Sequence, residues 1–314
     1  MFLNLSACLN TRKIRLDYEK DDDGSVMVPI TGSERSEERG PEYQWLFSKS
    51  DLHLTPSVLV AGIDTSSERQ LRCKGIGLIY RVGDFMRLGQ HVLNTACIFF
   101  HRFFMRKPLT YGPDRLGYGH YEMAATCIFL ACKVEETHRK LPSIIEATMA
   151  SLDKSPDGLR SWADRSFRAN PASKDFARWR DIILVFEEVL LESLCFDLIV
   201  EHPHEILVKA CFRLGVKNEV VRLAWTILND CMRDPLCVMY EAPVLAAGAF
   251  RRACLANDID PQTFTAEWSG TVEDKDKEEM RIHWEDVFDV DDSEARETAD
   301  AIDKDVYEFH KELS

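Results

Sequence analysis

"YEMAATCIFLACKVEE", residues 121–136, is the stretch that decides the fold. From Met123 to Cys132 every side chain is apolar or small, with no charge, glycine or proline among them. Such a run reads as a central helix buried on most sides. It stops on Lys133, Glu135 and Glu136 and then turns over. A cation at that position favours the C-terminal end of the helix dipole, so composition alone makes Lys133 a solvated helix end.

Helical spacing continues on both sides. Val92, Ala96, Phe99 and Phe103 fall at i, i+4, i+7 and i+11, with Leu93, Phe100 and Phe104 beside them. Trp179, Ile182, Ile183, Phe186, Leu190 and Leu194 mark a further helix, and three more are expected at about 203–214, 219–234 and 241–256. Trp284, Val287 and Phe288 share a face, as do Ala295, Ala299, Ile302, Val306 and Phe309. No convincing strand is present, so the fold class is all-α. "MRKPL" (105–109) and "MRDPL" (232–236) each end a long helix, and each precedes a Tyr-Glu pair that opens an Ala-rich helix. This echo predicts two similar helical bundles in series.

The expected organisation is a disordered arm over 1–42, a first bundle over 43–201 with a short lead-in helix, and a second over 202–314. Residues 152–177, rich in Ser, Pro, Asp and Arg, read as a long loop with a Ser-Pro phosphorylation motif at Ser155. Residues 257–280 read as a polar, acidic loop.

The chain has 314 residues and a formal net charge of −14, of which residues 270–314 contribute −11. Such a field repels phosphates, which argues against direct nucleic-acid or anionic-membrane binding. No run reaches a membrane span of roughly 18 apolar residues. The N-terminal "MFLNLSACLNTRK" lacks the basic region of a signal peptide. The ten cysteines form no CxxC pair and lie mostly in apolar stretches, which suits buried thiols in a reducing compartment.

Catalytic patterns are missing: no P-loop, no GxGxxG after a strand, no GxSxG and no HExxH. Two ExxH pairs, Glu135–His138 and Glu201–His204, have the spacing of di-iron ligands. Pro203 places the second pair at a helix start, so both read as helix-end pairs rather than metal ligands. Gly75 and Gly77 lie inside a helical pattern and read as sites of close helix packing.

The segments "TACIFFHRFFM" (95–105), "ATCIFLACKVEET" (125–137) and "FEEVLLESLCFDLIVEHPHEILVKAC" (186–211) together resemble a cyclin box. They are most similar to the transcriptional cyclins of the C, K, L and T group, above all cyclin K and the fungal cyclin subunit of the kinase for the RNA polymerase II C-terminal domain. The resemblance extends over about residues 43–312. It implies two tandem five-helix cyclin boxes and a regulatory subunit without catalytic residues, cofactor or metal. The implied partner is a cyclin-dependent kinase, in a heterodimer that in some fungal complexes gains a third, non-cyclin subunit. The implied location is the nucleus, with the cytoplasm as a second compartment. The implied outcome is phosphorylation of the polymerase tail, promoting elongation and mRNA processing. By the same resemblance Lys133 and Glu187 bond together to the kinase backbone, with Val134, Glu136 and Leu191 around them.

The chain departs from the family at His138, where proline is common, and at "ERQLRCKGIG" (68–77), where the substrate-docking patch of cell-cycle cyclins is not recognisable. Its compact end at Ser314 is similar to the fungal subunits. A cyclin-fold general transcription factor on promoter DNA is the alternative, and it predicts a zinc ribbon and a basic core. A cell-cycle cyclin is another, and it predicts a destruction motif within 1–40. Neither signature is present.

Overall fold

The computed structural model describes residues 44–110, 117–163, 165–267, 281–308 and 311. The arm expected over 1–42, Phe309 and residues 268–280 of the acidic loop lie outside them. The chain divides into two compact units, one ending at Val200 and the other beginning at Glu201.

The first unit holds α1 (Pro56–Leu59), α2 (Thr65–Met86), α3 (Gln90–Phe104), α4 (His120–Val134), α5 (Leu141–Leu152), α6 (Pro156–Ala163) and α7 (Lys174–Ser193). Helix α4 is its axis and packs against α2, α3, α5 and α7. The ten residues Met123–Cys132 are all buried, because Ala124, Ala125, Cys127 and Ala131 let neighbouring backbones approach. Helix α3 is buried from Val92 to Phe104, well beyond one face. Phe99, Phe100, Phe103 and Phe104 are fully enclosed, and Phe100 meets Phe104 edge-on at 4.8 Å. Each such ring contributes roughly 1.5–3 kcal/mol by burial, and their density fixes α3 against α4.

Capping sets the helix starts. The Asp64 carboxylate accepts from the Ser67 N–H at 2.9 Å, and the Ser173 hydroxyl accepts from the Phe176 N–H at 3.2 Å. A buried ion pair ties α2 to the end of α3. Arg72 donates to Glu68 at 2.7 Å and to the carbonyls of Phe104 and His101 at 2.8 and 3.3 Å. The guanidinium thereby satisfies the Phe104 carbonyl at the end of α3 and adds a second donor to the His101 carbonyl, which already accepts from the Met105 N–H. The Thr55 hydroxyl donates to the same Glu68.

The second unit holds α8 (Pro203–Arg213), α9 (Asn218–Cys231), α10 (Ala242–Ala256), α11 (Trp284–Phe288) and α12 (Asp292–Ala301). Here α10 is the axis, packed by α8, α9, α11 and α12. Phe250 on α10 meets Phe288, Trp284 and Phe264 with ring centroids 5.3, 5.5 and 5.6 Å away. The echo noted in the sequence has a physical basis. In both units the segment after the second long helix is buried, through Met105 and Leu109 in one and Met232 and Leu236 in the other.

Four expectations need correction. The lead-in is not one helix but a 3-10 turn at Asp51–His53 followed by α1, whose four residues begin at Pro56 under a Thr55 cap. The loop expected over 152–177 contains α6, capped by the Ser155 hydroxyl, which accepts from the Gly158 N–H at 2.9 Å. The acidic loop expected over 257–280 contains a strand, β1 (Thr265–Glu267), which pairs antiparallel with β2 (Arg281–His283) just beyond it, with Ala266 opposite Ile282. Gly75 does allow close packing, since a Cβ there would meet the Phe100 ring at 2.3 Å, but Gly77 would meet only Arg81 at 3.5 Å. The helix that follows α11 continues as a π-helical stretch, Ile302–Glu308, that keeps Ile302 and Val306 buried.

Candidate functional site

The structure brings Lys133 and Glu187 together from positions 54 residues apart. Lys133 Nζ donates to both Glu187 oxygens, at 2.6 and 2.8 Å. The lysine lies on the last turn of α4 and the glutamate in the middle of α7, two helices that pack directly. The ammonium also sits 4.0 Å from the centroid of the Phe129 ring, one turn back on α4. The Lys133 side chain is 46% exposed and that of Glu187 15%. A pair this open contributes about 0–1 kcal/mol to folding, so its position at the surface has no strong structural cause.

Around it lie Val134 and Leu191, both half-buried, and Glu136, exposed. Glu136 takes a left-handed conformation, φ 50°, which ends α4 sharply. Its N–H reaches the Lys133 carbonyl at 3.3 Å, and the Glu135 N–H reaches Ala131 at 2.9 Å. All five residues singled out in the sequence therefore lie on two elements, the end of α4 and the middle of α7.

Sequence reasoning missed exposed apolar side chains on α7 and just past its end. Leu184 stands one turn before Glu187 on α7, with Val185 beside it, and both are exposed. Past the end of α7, Cys195 and Phe196 are both left-handed, φ 52° and 58°, and Phe196 is 66% exposed. Ile199 follows at 82%. The signal was in the text. Helix α7 carries apolar residues on more faces than Phe176, Ile183 and Leu190 can bury. Leu184, Glu187 and Leu191, at i, i+3 and i+7, share one face of α7, so the Lys133–Glu187 pair is flanked by an apolar rim.

The two ExxH pairs have other occupations. The Glu135 carboxylate accepts from the Thr95 hydroxyl at 2.5 Å, while His138 Nδ1 lies 3.1 Å from the Glu136 carbonyl. His204 is buried, bonded to the Asn229 amide oxygen at 3.1 Å and edge-on to Trp225 at 4.7 Å. Burial pushes it down to about 4, against the Asn229 bond, so the ring is neutral at pH 7. Among the described residues no three His, Cys, Asp or Glu side chains are placed to hold a metal ion. Burial raises the Cys132, Cys211 and Cys254 thiols to about 11, 12 and 12, which makes them poor nucleophiles.

Comparison with known proteins agrees with this architecture. Residues 42–199 match the family described as cyclin, N-terminal domain, and the chain belongs to the cyclin family. Cyclin pch1 of Schizosaccharomyces pombe is 40% identical over 223 residues, covering 71% of this chain and 60% of that one. Cyclin-K of Homo sapiens is 32% identical over 240 residues, covering 73% of this chain and 38% of that one. The chain thus spans less than two thirds of the length of these relatives. Among solved structures, the yeast RNA Pol II CTD kinase CTDK-1 complex contains a chain that superposes with a TM-score of 0.60 at 17% identity, covering 82% of this chain and 72% of that one. A chain of the CAK complex of Chaetomium thermophilum follows at 0.54 and 16%, covering 86% and 79%. At these identities the likeness is one of fold.

Proposed function

We propose that this chain is the regulatory cyclin subunit of a nuclear, transcriptional cyclin-dependent kinase that phosphorylates the C-terminal domain of RNA polymerase II. The phosphoryl transfer belongs to the kinase, and this chain supplies the surface that selects the active kinase conformation. Lys133 and Glu187 bond to the kinase backbone, and Val134, Glu136 and Leu191, with Leu184 and Phe196, form the surrounding contact.

The observation that carries the reading is the bidentate Lys133–Glu187 pair at an apolar rim. Held at 2.6 and 2.8 Å in the free chain, both groups are already oriented. Docking removes them from water while the partner takes up their remaining hydrogen-bonding capacity, which strengthens each bond. The relatives support the same reading, being cyclins of the pch1, K and T types.

Capture of kinase from source extract on the immobilised chain tests it, with activity assayed on polymerase heptad-repeat peptides. Wild type is expected to retain kinase and activity. A Lys133→Ala/Glu187→Ala variant is expected to bind about 30-fold more weakly or worse, the equivalent of about 2 kcal/mol or more. Its own unfolding free energy should fall by no more than about 1 kcal/mol. A wild-type chain that captures no kinase ends the proposal.

A further inference from the structure

The geometry points to Thr95 and Glu135 as a positioning clamp that holds the kinase-facing end of α4 from the α3 side, opposite the hold that Glu187 exerts from α7. This rests on the reading of the Lys133 end as the kinase contact. Thr95 is wholly buried on α3, so it reaches no partner directly. Its hydroxyl donates to the Glu135 carboxylate at 2.5 Å, across 40 residues of sequence. Glu135 is the residue that caps α4, two positions beyond Lys133 and immediately before the left-handed Glu136.

A second contact lies one turn earlier on α3. His91 Nε2 is 3.4 Å from the Thr137 hydroxyl, which itself donates to the Glu135 carbonyl at 3.2 Å. Residues 135 and 137, on either side of the turn, are thus both tied to α3. These contacts fix the end of α4 from the α3 side. The direction of Lys133 and the exposure of Glu136 both follow from that ending. A short hydrogen bond to an ionised carboxylate is strong enough to set it. Thr95 is therefore a positioning residue, acting through Glu135.

The test has two arms. In the isolated chain, Thr95→Val keeps the side-chain volume and removes the donor, and Thr95→Ser restores the donor. Amide hydrogen exchange at residues 135–137 is expected to accelerate about tenfold in Thr95→Val, with the middle of α4 unchanged, and to stay at the wild-type rate in Thr95→Ser. In the second arm, affinity is measured for the kinase that the wild-type chain captures. Thr95→Val is expected to weaken binding about tenfold and Thr95→Ser less than twofold. Added to Lys133→Ala, Thr95→Val should weaken binding by less than its effect in wild type.

Unchanged exchange at 135–137, or unchanged kinase affinity in Thr95→Val, overturns the clamp while leaving the kinase reading intact. Exchange that rises throughout α4 also overturns it, because that marks general loosening of the core. If the wild-type chain binds no kinase, the kinase reading fails and the clamp's role falls with it.

Discussion

Lys133 is held from three sides: by the Glu187 carboxylate, by the Phe129 ring and by the carbonyl end of its own helix. None of these holds is strong in water, and that is the physical reason for assigning it to recognition rather than to folding. His204 shows the opposite case, a polar residue committed to the core. Its folded value of about 4 lies below the ordinary 6.5, so the unfolded state binds the extra proton first. Its contribution is complete above pH 6.5 and is lost as the pH falls from there towards 4. Between pH 7 and 5 this amounts to about 2 kcal/mol. Urea unfolding at the two pH values should show that loss in wild type and a smaller one in His204→Gln. The sequence placed His204 correctly in the first turn of a helix after Pro203. It could not show the Asn229 partner, 25 residues away, because contacts between helices leave no local trace.

At the scale of elements, the helices legible in the sequence are those with apolar residues at helical spacing: α2, α3, α4, α7 and the helices of the second unit. Helix α5 is less legible, because Ile144 and Ile145 are β-branched and only Pro142 in its first turn marks a helix start. Helix α6 is eight residues long, starts on proline and contains Gly158, so it forms under a serine cap and tertiary contact rather than by propensity. The two strands, three residues each, are too short to show an alternation.

The glycines of α2 allow a sharp test of packing. Gly75→Ala would press a methyl group into the buried Phe100 ring, and should cost about 1–3 kcal/mol in thermal or denaturant unfolding. Gly77→Ala, with only the Arg81 guanidinium near, should be neutral or stabilising by up to about 1 kcal/mol. Equal effects at the two positions would contradict the packing described for α2 and α3.

Over the whole molecule, each unit repeats one plan, an Ala-rich axial helix enclosed by neighbours, and the sequence echo around "MRKPL" and "MRDPL" is the trace of that plan. The surface around Lys133 and Glu187 was only half legible. Lys133, Glu187, Val134, Glu136 and Leu191 came from resemblance to cyclins. Phe196 and Ile199 emerged only when the fold left them at the surface. Charge is distributed unevenly, −11 of the net −14 lying in residues 270–314. At the Lys133 end of α4 and α7 the opposed pair of Lys133 and Glu187 is instead set beside apolar residues, with Leu184 and Leu191 on the Glu187 face of α7.

The most direct test of the central claim is a charge swap, Lys133→Glu/Glu187→Lys, measured for kinase affinity beside wild type and Lys133→Ala/Glu187→Ala. The swap preserves the ion pair within the chain and reverses what each helix offers to a partner backbone. If the pair works by recognising the kinase, the swapped chain folds as wild type and binds as poorly as the double alanine. Recovery of wild-type affinity would mean that the pair only holds α4 to α7, and the assignment of Lys133 and Glu187 to the kinase contact would be wrong.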